Sequence, residues 1–125
     1  MRILLYGATG TIADSVFKIV EDNQRKLKVI AATCNTNYKK IEKLKTKFNI
    51  KKIGINDAKS AEKYKSLTVN TNKKYLIIGN ENFSKLITKD IDVIILAISG
   101  LSALNISYEI ARSGKILGLA NKECI

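Results

Sequence analysis

Short apolar runs and amphipathic stretches alternate along this chain. Arg2–Tyr6 is a compact apolar run closed by Gly7, the pattern of a strand buried on both faces. From Gly10, apolar residues recur at Ile12, Ala13, Val16, Phe17, Ile19 and Val20, the stripe of an amphipathic helix. Lys28–Thr33 predicts a second strand, and Tyr38–Phe48 a second helix, with Ile41, Leu44 and Phe48 set among lysines. Lys52–Ile55 predicts a third strand, and Asp57 is placed to cap a helix running to about Ser66. Residues 67–74 are polar and rich in Thr and Asn, so a loop is expected there. Tyr75–Ile78 restarts the sheet, Asn82–Thr88 predicts a short helix, and Asp92–Ala97 carries five consecutive apolar residues after its aspartate. A helix from about Ala103 to Arg112 is expected to end at Gly114, followed by a last strand at Ile116–Leu119.

Repeated strand–helix units with continuous apolar strands predict an α/β fold: a doubly wound, mostly parallel, Rossmann-like sheet. Ligands of such sheets lie beyond the carboxyl ends of the strands. Residues 1–125 are expected to form one domain of this kind.

Composition narrows the function. The hydrophobic content of 46% and charged content of 26% are those of a globular chain. No stretch approaches the ~20 apolar residues of a membrane span, and Gly7 and Gly10 interrupt the first apolar run too early for a signal peptide. No membrane partner is expected, and the chain reads as cytoplasmic. Cys34 and Cys124 have no metal-ligand spacing and no histidine to complete one, so both thiols are expected to be reduced and no metal site is assigned. The net charge of +11 invites a nucleic-acid reading. Its distribution argues otherwise. Residues 37–74 hold twelve lysines against Glu42, Asp57 and Glu62, with no arginine and only Tyr38, Phe48 and Tyr64 as aromatic residues. Base readout favours arginine and single-strand binding favours aromatic platforms. These lysines read as a solvated surface, and no nucleic acid is expected as a partner.

The candidate chemistry lies at two strand ends. Gly7, Gly10 and Ala13 have the spacing of a glycine-rich phosphate turn with a small third residue. The first glycine permits the tight turn, the second lets the backbone approach a pyrophosphate, and the third lets helix and strand pack closely. N–H groups at the helix start, around Thr11 and Ile12, would hold the anion, with hydroxyls from Thr9 and Thr11. The end of the second strand then selects the cofactor. An NAD site wants an acid there, to accept from the ribose 2′-hydroxyl. Here the chain reads Thr33-Cys34-Asn35-Thr36-Asn37-Tyr38-Lys39-Lys40, with no acid. Neutral donors with lysines nearby suit a 2′-phosphate, so NADPH is favoured over NADH. Near the other end, Leu119-Ala120-Asn121-Lys122-Glu123 sets an amide, a cation and a carboxylate directly after a strand, where they can converge on one ligand.

The pairing of Gly-Ala-Thr-Gly-Thr-Ile-Ala at 7–13 with Leu-Ala-Asn-Lys-Glu at 119–123 resembles 1-deoxy-D-xylulose 5-phosphate reductoisomerase. Ala111-Arg112-Ser113-Gly114-Lys115 and Ala97-Ile98-Ser99-Gly100-Leu101 also look like segments of that family. The family converts 1-deoxy-D-xylulose 5-phosphate to 2-C-methyl-D-erythritol 4-phosphate in the non-mevalonate isoprenoid route, using NADPH and a divalent metal (Mg or Mn). The resemblance implies that Thr9, Gly10, Thr11 and Ile12 hold the cofactor's phosphates. It implies that Asn35, Thr36 and Asn37 face the adenosine ribose phosphate. Asn121 and Glu123 would meet the nicotinamide side, and Lys122 would reach the sugar phosphate substrate. The family is typically a homodimer.

Two departures change the picture. Where the family usually has Gly-Lys-Asn, this chain has Asn35-Thr36-Asn37, so a cation expected near the 2′-phosphate is missing there, and Lys39 or Lys40 is the candidate substitute. The family's metal-binding and C-terminal parts, with its acidic ligands, lie downstream of the stretch this chain matches. The 125 residues alone are therefore expected to bind NADPH without turning over substrate. Two alternatives stay open: another NAD(P)-binding reductase with a GxxGxxA loop, and a non-catalytic remnant.

Overall fold

The computed structural model describes residues 1–67 and 75–97, Gly114, and the backbone of residues 116–119. One sheet of six strands organises them: β1 (Arg2–Tyr6), β2 (Lys28–Cys34), β3 (Lys52–Ile55), β4 (Leu76–Ile78), β5 (Val93–Leu96) and β6 (Ile116–Leu119). Every described pairing is parallel, in the order β4-β3-β2-β1-β5-β6. Helices α1 (Thr11–Asp22), α2 (Tyr38–Phe48) and α3 (Ala58–Leu67) and a 3-10 helix (Asn80–Leu86) fill the described connections. From β1 the chain lays β2, β3 and β4 outward on one side, then crosses over to lay β5 and β6 on the other. That reversal places the topological switch point at the carboxyl ends of β1 and β5, where open α/β sheets bind their ligands.

Alternation along the strands builds two cores. Ile3 and Leu5 join Ala13, Phe17 and Val20 of α1, Ile41 of α2, and Ala61 and Tyr64 of α3 on one face. Leu4 and Tyr6 join Phe83 and Leu86 of the 3-10 helix, with Ile91, Ile94 and Leu96, on the other. Leu4 and Leu5 are both fully buried, each stabilising the fold by roughly 1.5–3 kcal/mol. This two-sided burial is why β1 reads as an unbroken apolar run. The Phe17 and Phe48 rings, 4.7 Å apart, tie α1 to α2.

All six expected strands are present within a residue or two of their predicted bounds, as are α1, α2 and α3. The short helix expected at Asn82–Thr88 is a 3-10 turn starting at Asn80. Its buried residues, Phe83 and Leu86, are three apart and so share one face of a threefold turn. Of the residues expected to form a loop at 67–74, Leu67 instead closes α3. Residues 68–74 and the helix expected at 103–112 lie outside the described residues.

Candidate functional site

The turn after β1 is built to leave an anion cradle open. Gly7 has φ +79°, a left-handed conformation that side chains resist. Its N–H donates to the Thr33 hydroxyl at 3.0 Å, and the Ala8 N–H donates to the Thr33 carbonyl at 2.7 Å. Thr33, buried near the end of β2, thus holds the turn at two points. Ala8 and Ala13 are fully buried, which seats the start of α1 close against the sheet. Gly10 is the N-cap of α1, and among the described residues no side chain caps that helix start. The first intrahelical bond in this region runs from the Asp14 N–H to the Gly10 carbonyl at 3.2 Å. The N–H groups ahead of it point out of the helix end, where the dipole favours an anion. Thr11 and Ile12 are exposed there.

The two glycines divide the work. Gly7 is required by the backbone, whereas Gly10 is not: its φ is −87°, and among the described residues an added Cβ would meet only the Gly7 carbonyl, at 3.8 Å. Among the described residues nothing fills the space beside Gly10. That open side lets a ligand reach the backbone, which is the fit expected for a pyrophosphate.

The end of β2 adds polar groups of fixed orientation. Asn37 caps α2, its side-chain carbonyl accepting the Lys40 N–H at 3.2 Å. Asn35 accepts from the Asn56 amide at 3.0 Å, and Asn56 in turn accepts the Asn80 N–H at 2.9 Å. Thr36 is exposed between them. From the first turn of α2, Lys40 reaches back to the phosphate turn. Its ammonium donates to the Thr9 carbonyl at 3.1 Å and to Asp14 Oδ1 at 2.8 Å. Of the two lysines weighed as a substitute cation, the structure brings Lys40 to the turn. Thr9, Gly10, Thr11 and Ile12 therefore share one end of the sheet with Asn35, Thr36, Asn37 and Lys40.

Asn121, Lys122 and Glu123 lie outside the described residues. The strand leading to them is described: Tyr6 pairs with Leu96 and Leu96 with Leu119, so β1, β5 and β6 end at one level. Three contributors to the site were not singled out from the sequence. The Thr33 hydroxyl gave no signal beyond a polar residue in an apolar strand. Asn56 and Asn80 follow the ends of β3 and β4, and the register Cys34–Ile55–Ile78 is what brings them beside Asn35.

Other candidates belong to the scaffold. Burial pushes the Cys34 thiol up to about 12, which leaves almost no thiolate at neutral pH. Asp57 caps α3 as expected, accepting from the Ser60 hydroxyl and N–H, and these bonds hold its carboxyl below the usual range. Tyr64 donates to Glu42 at 2.6 Å inside the α2–α3 contact, and burial followed by that bond raises its phenol. A cavity of about 420 Å³ lies at the opposite end of the sheet, lined by residues that include Arg2, Lys28, Lys47, Phe48 and Lys51. It sits by the carboxyl ends of α1 and α2, whose dipoles those cations offset. Among the described residues no three His, Cys, Asp or Glu side chains group as metal ligands. No described helix is long and apolar enough to cross a membrane.

Comparisons with known proteins bear on this geometry. A family model described as 1-deoxy-D-xylulose 5-phosphate reductoisomerase matches residues 3–125. The reductoisomerase of Pelagibacter ubique is 33% identical over 131 residues, covering 99% of this chain and 32% of that protein. That of Clostridium novyi is 31% identical, with 99% and 33% covered. A solved structure of the Zymomonas mobilis reductoisomerase in complex with NADPH superposes with TM-score 0.85 at 28% identity, covering 98% of this chain and 32% of that one. A DOX-P reductoisomerase in complex with NADPH, fosmidomycin and magnesium gives TM-score 0.84 at 26% identity, with 98% and 30% covered. The chain spans about a third of the length of the curated relatives it matches.

Proposed function

The chain belongs to the 1-deoxy-D-xylulose 5-phosphate reductoisomerase family, and on that premise we propose that residues 1–125 form its NADPH-binding, Rossmann-like portion. The observation that carries this reading is the uncapped start of α1 with open space beside Gly10. Thr9, Gly10, Thr11 and Ile12 hold the pyrophosphate through backbone N–H groups and hydroxyls. Asn35, Thr36 and Asn37 face the 2′-phosphate. Lys40 provides the cation that this segment lacks, already held at the Thr9 carbonyl. Asn121 and Glu123 bind the nicotinamide ribose, and Lys122 reaches the substrate phosphate.

The activity proposed for the whole protein is the NADPH-dependent conversion of 1-deoxy-D-xylulose 5-phosphate to 2-C-methyl-D-erythritol 4-phosphate. When bound, the nicotinamide is the hydride source for that reduction. The residues of this chain bind and orient it, and the metal-binding and C-terminal portions of the family complete the site. A cytoplasmic homodimer is the assembly proposed with it.

Titration of the chain with NADPH and NADH, followed by coenzyme fluorescence, tests the reading. NADPH binds more tightly, and no substrate is turned over. Lys40→Ala weakens NADPH about fivefold, as loss of one phosphate cation would, and changes NADH less. Folded protein that leaves NADPH fluorescence unchanged at millimolar coenzyme overturns the proposal.

A further inference from the structure

The amide network at the ends of β2, β3 and β4 has only one arrangement of donors and acceptors. The Asn80 backbone N–H can only donate, so the Asn56 atom facing it at 2.9 Å is the carbonyl oxygen Oδ1. The other half of that carboxamide, Nδ2, must then face Asn35, and it donates to Asn35 Oδ1 at 3.0 Å. Asn35 is exposed and is left with its NH2 group uncommitted among the described residues. The same logic holds for Asn37, whose Oδ1 is taken by the Lys40 backbone N–H. In both amides after β2 the oxygen is therefore held by an inward donor, and the NH2 group is the half left unpaired among the described residues.

We propose that Asn56 is a positioning residue for cofactor choice: by engaging the Asn35 oxygen, it presents the Asn35 NH2 group to the 2′-phosphate of the bound dinucleotide. This rests on the nicotinamide-nucleotide reading above and adds to it the group that sets the preference. A phosphate accepts hydrogen bonds and does not need to donate them, so an outward NH2 suits it. A ribose 2′-hydroxyl needs an acceptor at this place, the role an acid plays in NAD sites. An unconstrained asparagine could turn over and serve either. Anchored to the fixed N–H of residue 80 through Asn56, Asn35 serves the phosphate.

The variant Asn56→Asp tests this. A carboxylate at 56 still accepts from the Asn80 N–H but no longer donates, so Asn35 turns its NH2 inward and its oxygen outward. The ratio of NADPH to NADH affinity, measured by fluorescence titration of the 125-residue protein, falls by about tenfold, the worth of one hydrogen bond to a charged group. The new negative charge could lower that ratio by repulsion alone, so the change is repeated in an Asn35→Ala background. There the ratio no longer responds to Asn56→Asp if the effect passes through Asn35. An equal fall in both backgrounds, or an unchanged ratio in the single variant, overturns the proposal while leaving NADPH binding in place. Wild-type protein that binds no NADPH overturns the underlying reading as well. Should Asn56→Asp not fold, as judged by thermal unfolding, Asn56→Ala carries the test: releasing the Asn35 amide lowers the ratio by a smaller factor, about threefold. An unchanged ratio in that variant refutes the idea.

Discussion

Replacing Thr33 by valine separates the turn that holds the phosphates from the sheet that carries it. Thr33 is 2% exposed, and its hydroxyl accepts the Gly7 N–H at 3.0 Å. Valine has nearly the same volume but no acceptor, so the half-buried Gly7 N–H loses its partner. An unsatisfied buried donor costs about 1–3 kcal/mol, and the partial exposure of Gly7 puts this case near 1 kcal/mol. The Ala8 N–H keeps its bond to the Thr33 carbonyl, so the turn loosens without detaching. The NADPH dissociation constant then rises about three- to tenfold, since close to 1 kcal/mol of preorganisation is lost. Thr33→Ser is the informative partner. It keeps the acceptor and removes one buried methyl, lowering stability by about 1 kcal/mol with unchanged coenzyme affinity. Urea unfolding reports stability and NADPH fluorescence titration reports affinity. A Thr33→Val protein that binds like wild type, or a serine variant that weakens binding as much as valine does, would refute the reasoning.

Gly54→Ala probes the other core. A Cβ there would lie 2.7 Å from Phe83 Cε1 and 3.1 Å from Thr33 Cγ2, so the 3-10 helix shifts and stability drops by about 1–3 kcal/mol in urea unfolding; a neutral result would show that the Phe83 ring swings aside freely. Acid stability follows from three carboxyls held below their usual range: Asp57 by Ser60, Asp90 by the Thr88 hydroxyl, and Asp92 chiefly by the Arg2 N–H. Groups whose values are depressed in the folded state stabilise it above the unfolded aspartate value of about 3.9, and that stability is lost as pH falls through their folded values. The urea midpoint is therefore expected to fall as pH drops below about 4, and Asp57→Asn removes part of that dependence. A midpoint that rises on acidification through that range would contradict the assignment.

The sheet was legible because each strand is a short apolar run and each long helix a stripe, two periods that burial on both faces enforces. The phosphate turn was legible because Gly7, Gly10 and Ala13 follow a strand and open a helix. Lys40 was harder to place. Among twelve lysines in one segment, only the start of α2 and the seat of Asp14 on α1 single it out. Asn56 and Asn80 gave no local signal at all, since what joins them to Asn35 is strand register, a property of three distant segments at once. The 3-10 character of 80–86 was hidden because two apolar residues three apart fit either helix.

The place of β1 in the middle of the sheet has a consequence for how the protein is made. It hydrogen-bonds β2 on one flank and β5 on the other. At the usual pace of translation, about 5–20 residues per second, its second neighbour emerges several seconds after its first. During that wait, an apolar ribbon stands open along one side of a growing polypeptide, an invitation to pair with a stranger. Nascent chains stalled before Val93 should therefore be the ones that chaperones hold and that clump when released, whereas chains extended past Leu119, in which β6 covers β5 in turn, should not.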